Sequence, residues 1–125
     1  MSPSSDFSSR KLLGNQGEKN VAQYLEQDGF VIIAKNYSKR CGEVDIIAQK
    51  RDLISFVEVK TRIKETVPFS DLIRKSKQKK IIATAKMFIA ENNLYDKAIR
   101  FDVAFVEQKN WKITYIPNAF VQENF

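Results

Sequence analysis

The chain contains no histidine and only one cysteine, Cys41. Without histidine it can build neither a Ser-His-Asp triad nor a His/Cys zinc site, and a lone cysteine cannot close an intramolecular disulfide. No apolar run reaches the ~18 residues of a membrane-spanning helix, and the opening stretch MSPSSDFSSRK lacks the hydrophobic segment of a secretion signal. The expectation is a cytoplasmic protein with no membrane partner. No internal repeat is visible.

What is present is an excess of positive charge. Twenty-one Lys and Arg face fifteen Asp and Glu, for a net charge of +6 and a pI near 9.5. That balance favours a polyanion such as nucleic acid, although charge alone fits a merely soluble basic protein equally well. At 125 residues, 43% hydrophobic and 29% charged, the composition is that of an ordinary globular domain. Folding at this length buries roughly two-thirds of the unfolded surface. Residues 1–10, rich in serine and without apolar periodicity, read as a mobile tail, leaving 11–125 as one domain.

Hydrophobic spacing gives the order of elements. Val21, Ala22, Tyr24 and Leu25, followed by Gly29, predict a helix over 15–28, and Phe30 to Asn36 reads as a strand. After a turn at 38–42, Val44–Gln49 and Leu53–Lys60 form a hairpin around Lys50-Arg51-Asp52. A charged loop containing Pro68 covers 61–70, and Ile81, Ile82, Ala85, Phe88 and Ile89 predict a helix over 71–92. Strands over 98–107 and 111–117, joined at Lys109-Asn110, complete the order α-β-β-β-α-β-β. This is an α/β pattern, a mixed sheet flanked by helices.

The hairpin carries the chemistry. Strand alternation puts Glu43, Asp45 and Ile47 on one face and Val44 and Ile46 on the other, while Phe56, Glu58 and Lys60 share a face of the next strand. Charges in such apolar strands are costly unless paired or bound to metal. If Arg51 and Asp52 form a two-residue loop, Asp45 lies opposite Glu58, with Cβ atoms roughly 4.5–5.5 Å apart. Two carboxylates so placed repel unless a divalent cation lies between them, and hard oxygen donors suit Mg²⁺ or Mn²⁺. Lys60, about 6.6 Å from Glu58 along the backbone, would point toward a water or phosphate beside that ion. A solvated ion-pair ladder of the same residues is the alternative.

The run Gly42-Glu43-Val44-Asp45-Ile46-Ile47, then Phe56-Val57-Glu58-Val59-Lys60 after an interval that includes the hairpin turn, resembles the PD-(D/E)xK pattern of the restriction-endonuclease-like superfamily. Val44 stands where that superfamily has proline. With Gly-Asn-Gln-Gly-Glu at 14–18, Ser-Lys-Gln at 76–78, Arg-Phe-Asp-Val at 100–103 and Asn-Ala-Phe at 118–120, the chain more closely resembles the YraN family. That bacterial family is regarded as predicted endonucleases akin to archaeal Holliday-junction resolvases. The resemblance covers Gly14 to Phe120 and implies a restriction-endonuclease-like fold and Mg²⁺- or Mn²⁺-dependent hydrolysis of phosphodiester bonds. The implied substrate is structured or branched DNA in repair or recombination.

By that resemblance Asp45, Glu58 and the main-chain carbonyl of Val59 would hold the metal, and Lys60 would position or deprotonate the attacking water. Glu18 would be a further acidic group at the metal. Its competing reading is a capping box, with Glu18 bonded back to the Asn15 amide. Glu43 is as readily a salt-bridge partner of Lys39 or Arg40. The basic run Arg74, Lys75, Lys77, Gln78, Lys79 and Lys80 reads as a phosphate-contacting helix start or as a solvated face. Lys77 and Gln78 are the residues the resemblance brings nearest the scissile bond. Arg100 and Asp102 share a strand face and read as structural; Tyr37 and Trp111 are the aromatics left for base stacking. A resolvase would need two active sites, usually from a homodimer. The rival to catalysis is a silent nucleic-acid-binding module with the same fold.

Overall fold

The computed structural model describes residues 4–62 and 73–122, with side chains described from Gly14 onward. Helix α1 spans Ser4–Gln27, strands β1, β2 and β3 span Val31–Lys39, Gly42–Lys50 and Leu53–Arg62, helix α2 spans Lys75–Asn92, and strands β4 and β5 span Ala98–Glu107 and Ile113–Phe120. The order is the expected α-β-β-β-α-β-β. Helix α1 starts at Ser4 instead of near residue 15, so residues 4–10 are helical where a tail was expected. After Pro3 no proline occurs until Pro68, and a helix once nucleated lengthens at little cost. Residues 1–3 and the expected loop from 63 onward lie outside the described residues; Thr61 and Arg62 still belong to β3. Among the described residues no helix is long and apolar enough to cross a membrane.

The five strands form one sheet in the order β1-β2-β3-β4-β5. Neighbours are antiparallel except β3 and β4, which run parallel and are joined through α2. The two-residue turn is made by Arg51, whose φ of 55° is left-handed, and Asp52, and it fixes Lys50↔Leu53 through Ile46↔Val57 in the expected register. Helix α1 covers one face, where Val21, Ala22 and Leu25 pack on Ile46, Ala48, Val57, Ala104 and Val106. Helix α2 covers the other, where Ile81, Ala85 and Phe88 pack on Val44, Ile47, Phe56 and Phe101. Gly17 sets how closely α1 approaches, because a Cβ there would overlap Thr61 Oγ1 of β3.

On the α1 side of β4, fully buried Asp102 ties the sheet edge together. It accepts from Arg100 Nε at 2.8 Å, from the Tyr115 hydroxyl, and from the Asn118 amide at 2.8 Å. A buried carboxylate so bonded is satisfied, consistent with the structural role expected of this pair.

Candidate functional site

The site forms where the β2–β3 ladder stops. The last pair is Ile46↔Val57, and one step further Asp45 and Glu58 would face each other. There the Asp45 side chain replaces the ladder, and the Val59 N–H donates to Asp45 Oδ2 at 2.8 Å. A strand residue that hydrogen-bonds its neighbour directs its N–H and its C=O to the same side. The Val59 carbonyl therefore leaves β3 toward Asp45.

The expected alternation fails at this point. Val44 packs in the α2-side core and Ile46 in the α1-side core, although residues two apart in a regular strand share a face. The partner strand shows why. Tyr37, paired with Val44, also packs on the α2 side, whereas the Lys35 charge acts on Glu18 of α1, and Lys35 pairs with Ile46. The β1–β2 ribbon turns over between these two pairs, at Asn36 and Asp45, and Asn36 has a left-handed φ of 52°. Asp45 is thereby aimed along the sheet toward β3.

Glu58 is 4% exposed and is held by two lysines. Lys77 of α2 places Nζ 2.6 Å from Glu58 Oε1, and Lys60 places its own 3.8 Å from the same oxygen. Burial and then the Glu58 charge push the Asp45 carboxyl up to about 8, against the Val59 amide bond, which favours the ionised form. Lys60 is lowered, first by burial and then by the neighbouring Lys77. Burial raises Glu18, reinforced by Glu43 and Glu58.

Glu18 lies in the interior of α1, so Asn15 is not a helix cap and the capping-box reading is excluded. Two carboxylates flank the Asn36 amide, so it is assigned the orientation that satisfies both, with NH₂ and not oxygen toward them; in that orientation it donates to Glu18 Oε2 and to Glu43 Oε1, each at 3.2 Å. Glu43 thus meets Asn36, while Lys39 pairs with Glu91 at 3.2 Å. Asn36 and the Lys77–Glu58 pair escaped the sequence reading. The asparagine ends a plain strand pattern, and only the register, which sets it opposite Asp45, would have marked it.

The basic segment is divided. Arg74 is the helix cap, with extended backbone at φ −68° and ψ 151°, so it does not share a helical row with Lys77 and Lys80. Lys77 turns into the site. Gln78 donates through Nε2 to the Ile73 carbonyl at 3.0 Å, which occupies its amide locally. Arg74, Lys75, Lys79 and Lys80 stay exposed, and Lys80 lies against Gly42 at the start of β2. Tyr37 and Trp111 are committed to packing. The Tyr37 ring meets Phe88 edge-on at 5.1 Å and its hydroxyl bonds Glu91, while Trp111 packs against the α1-side core.

The donors are hard oxygens, from Asp45, Glu58, Glu18 and the Val59 carbonyl, a set whose chemistry fits Mg²⁺ or Mn²⁺. Among the described residues they are not drawn together as a ready-made cage. Asp45 Oδ2 is engaged by the Val59 amide and Glu58 Oε1 by the Lys77 and Lys60 ammonium groups, partners that a cation drawn to those same oxygens would have to displace.

Comparison with known proteins agrees in extent with the fold. Residues 17–106 match the family described as "Uncharacterised protein family UPF0102". A UPF0102 protein of Alkaliphilus metalliredigens is 42% identical over 112 residues, covering 88% of this chain and 98% of its own. One from Clostridioides difficile is 46% identical over 109 residues, covering 86% and 95%. One from Treponema pallidum is 40% identical over 117 residues, covering 88% and 93%. With a family match over most of its length and relatives this similar from end to end, the chain belongs to the UPF0102 family.

Proposed function

We propose that this protein is a metal-dependent endonuclease of the restriction-endonuclease-like type, hydrolysing phosphodiester bonds in structured or branched DNA during repair or recombination. The observation that carries the reading is the meeting of Asp45, Glu58 and Lys60 where the β2–β3 ladder ends, beside an exposed basic helix start. The PD-(D/E)xK resemblance of the same residues supports it. Asp45, Glu58 and the Val59 carbonyl would hold Mg²⁺ or Mn²⁺, with Glu18 as a further acid. When bound, the metal supplies polarisation of the phosphate and a more acidic water.

The remaining work falls to the chain's own groups. Lys60, with its pKa lowered by burial, orients the attacking water or takes its proton, and in the charged form offsets the negative charge that builds on the phosphate. Lys77 neutralises Glu58 while the phosphate is absent. Lys75, Lys79 and Lys80 hold the backbone of the nucleic acid, and a homodimer would present two sites to a junction.

The test is a cleavage panel of single-stranded, duplex, flapped and four-way DNA, and duplex RNA, with Mg²⁺, Mn²⁺ or EDTA. Metal-dependent cutting of the flapped or four-way DNA is expected, slower by a factor on the order of 10² or more in the Lys60→Ala protein. Binding without cutting in any metal would replace the reading with a silent nucleic-acid-binding module. Affinity should fall steeply with salt, by about 0.9 in log–log slope for each phosphate contact. Changing Lys75, Lys79 and Lys80 to Ala should flatten that slope, measured by fluorescence anisotropy at several salt concentrations. An unchanged slope would move the binding surface elsewhere.

A further inference from the structure

We propose that Asn36 is a positioning residue for the site, setting Asp45 through its backbone and Glu18 through its side chain. The inference rests on the metal-site reading above. Lys35↔Ile46 and Tyr37↔Val44 are in register, so Asn36 lies opposite Asp45, and Asp45 in turn lies one step past the last β2–β3 pair, toward Glu58. Asn36, Asp45 and Glu58 thus form a row across three strands. The left-handed φ of 52° at Asn36 falls in the interior of β1, where a strand residue is ordinarily extended. Asparagine tolerates this conformation better than other side-chain-bearing residues. Here the conformation coincides with the turnover of the β1–β2 ribbon, which aims the Asp45 carboxylate at the Val59 amide.

The side chain has a second task. Glu18 comes from α1 and Glu43 from β2, and the Glu43 charge raises the cost of ionising Glu18. An amide that donates one hydrogen to each, at 3.2 Å, holds both in place without adding charge. It belongs to the class of outer partners that orient metal-binding side chains, whose loss typically costs 10–100-fold in metal affinity.

Asn36→Gly separates the two tasks, because glycine keeps the left-handed backbone and removes the amide. The probe is Mn²⁺ alone, titrated calorimetrically into parent, Asn36→Gly, Glu18→Gln and the double variant, with thermal melting of each. Asn36→Gly is expected to melt within a few degrees of the parent and to bind Mn²⁺ about tenfold more weakly. In the Glu18→Gln background the same change is expected to add little, since the carboxylate it acts through is already gone. Asn36→Ala should bind more weakly than Asn36→Gly, because it loses the backbone preference as well. Parent-like affinity in Asn36→Gly, or losses that simply add in the double variant, would overturn the positioning role while leaving the metal site standing. A parent protein that binds no Mn²⁺ would overturn the metal-site reading, and the positioning role with it.

Discussion

Asp45→Asn and Glu58→Gln are each expected to lose Mn²⁺ binding and cleavage together, while Lys60→Ala keeps the metal and loses the reaction. The separation follows from what each side chain offers. A hard divalent cation needs anionic oxygen, and each amide substitution removes one such group at a position the fold otherwise preserves. Asn at 45 can still accept the Val59 N–H, so the change removes charge and leaves the hydrogen bond. A charged lysine has no lone pair to give a metal. Its removal takes a positive group from within 3.8 Å of Glu58 and should leave affinity equal or tighter. The cleavage rate should fall by a factor on the order of 10² or more, the scale of a lost proton-transfer or charge-stabilising group. Calorimetric Mn²⁺ titration beside single-turnover cleavage reads both quantities. Loss of metal in Lys60→Ala would make the lysine a structural member of the site, and three variants that bind and cut like the parent would remove the assignment altogether.

The outcome at Asp45 also shows how far a sequence can be read. Alternation and an even turn were enough to set β2 against β3, because the Arg51-Asp52 loop leaves one register that keeps Ile46, Ala48 and Val57 inside. Alternation could not foresee that the ribbon turns over at Asn36, since a single left-handed residue leaves no mark on hydrophobic periodicity. Val44 was therefore assigned the wrong core. Helix α1 was read too short for a related reason, its first turns lacking an apolar stripe in the sequence. Glu18 had two local readings, cap or site, and only the length of α1 decides against the cap. The resemblance brings Lys77 near the scissile bond, but its ion pair with Glu58 depends on where α2 crosses the sheet, which is a tertiary fact.

Without metal, the protein should become less stable as pH rises from about 4 to about 8, and Asp45→Asn should abolish most of that slope. In the unfolded chain an aspartate ionises near its ordinary pKa of 3.8, whereas in the fold the carboxyl is held up to about 8, chiefly by burial and then by the Glu58 charge. Between those values the folded state binds a proton that the unfolded state has already released. The unfolded state is therefore favoured as protons become scarce, and stability falls with pH across this window, reaching its full loss above the folded value. A raised carboxyl acts in the opposite sense to the depressed carboxylates that cause acid unfolding. Allowing for residual solvent at Asp45, the accumulated penalty is on the order of 2–5 kcal/mol, large against the 5–15 kcal/mol of a typical domain. Urea unfolding of parent and Asp45→Asn from pH 4 to pH 9, in EDTA, measures it. The variant should match the parent near pH 4 and exceed it above pH 8, so the substitution expected to abolish cleavage should also stabilise the metal-free fold. Saturating Mn²⁺ should erase the difference or reverse it, because a cation at the site favours the ionised carboxylate and binds only the folded parent. Parallel pH profiles for the two proteins would mean that Asp45 is ionised in the fold at neutral pH, with Lys77 and the Val59 amide supplying enough compensation to offset its burial.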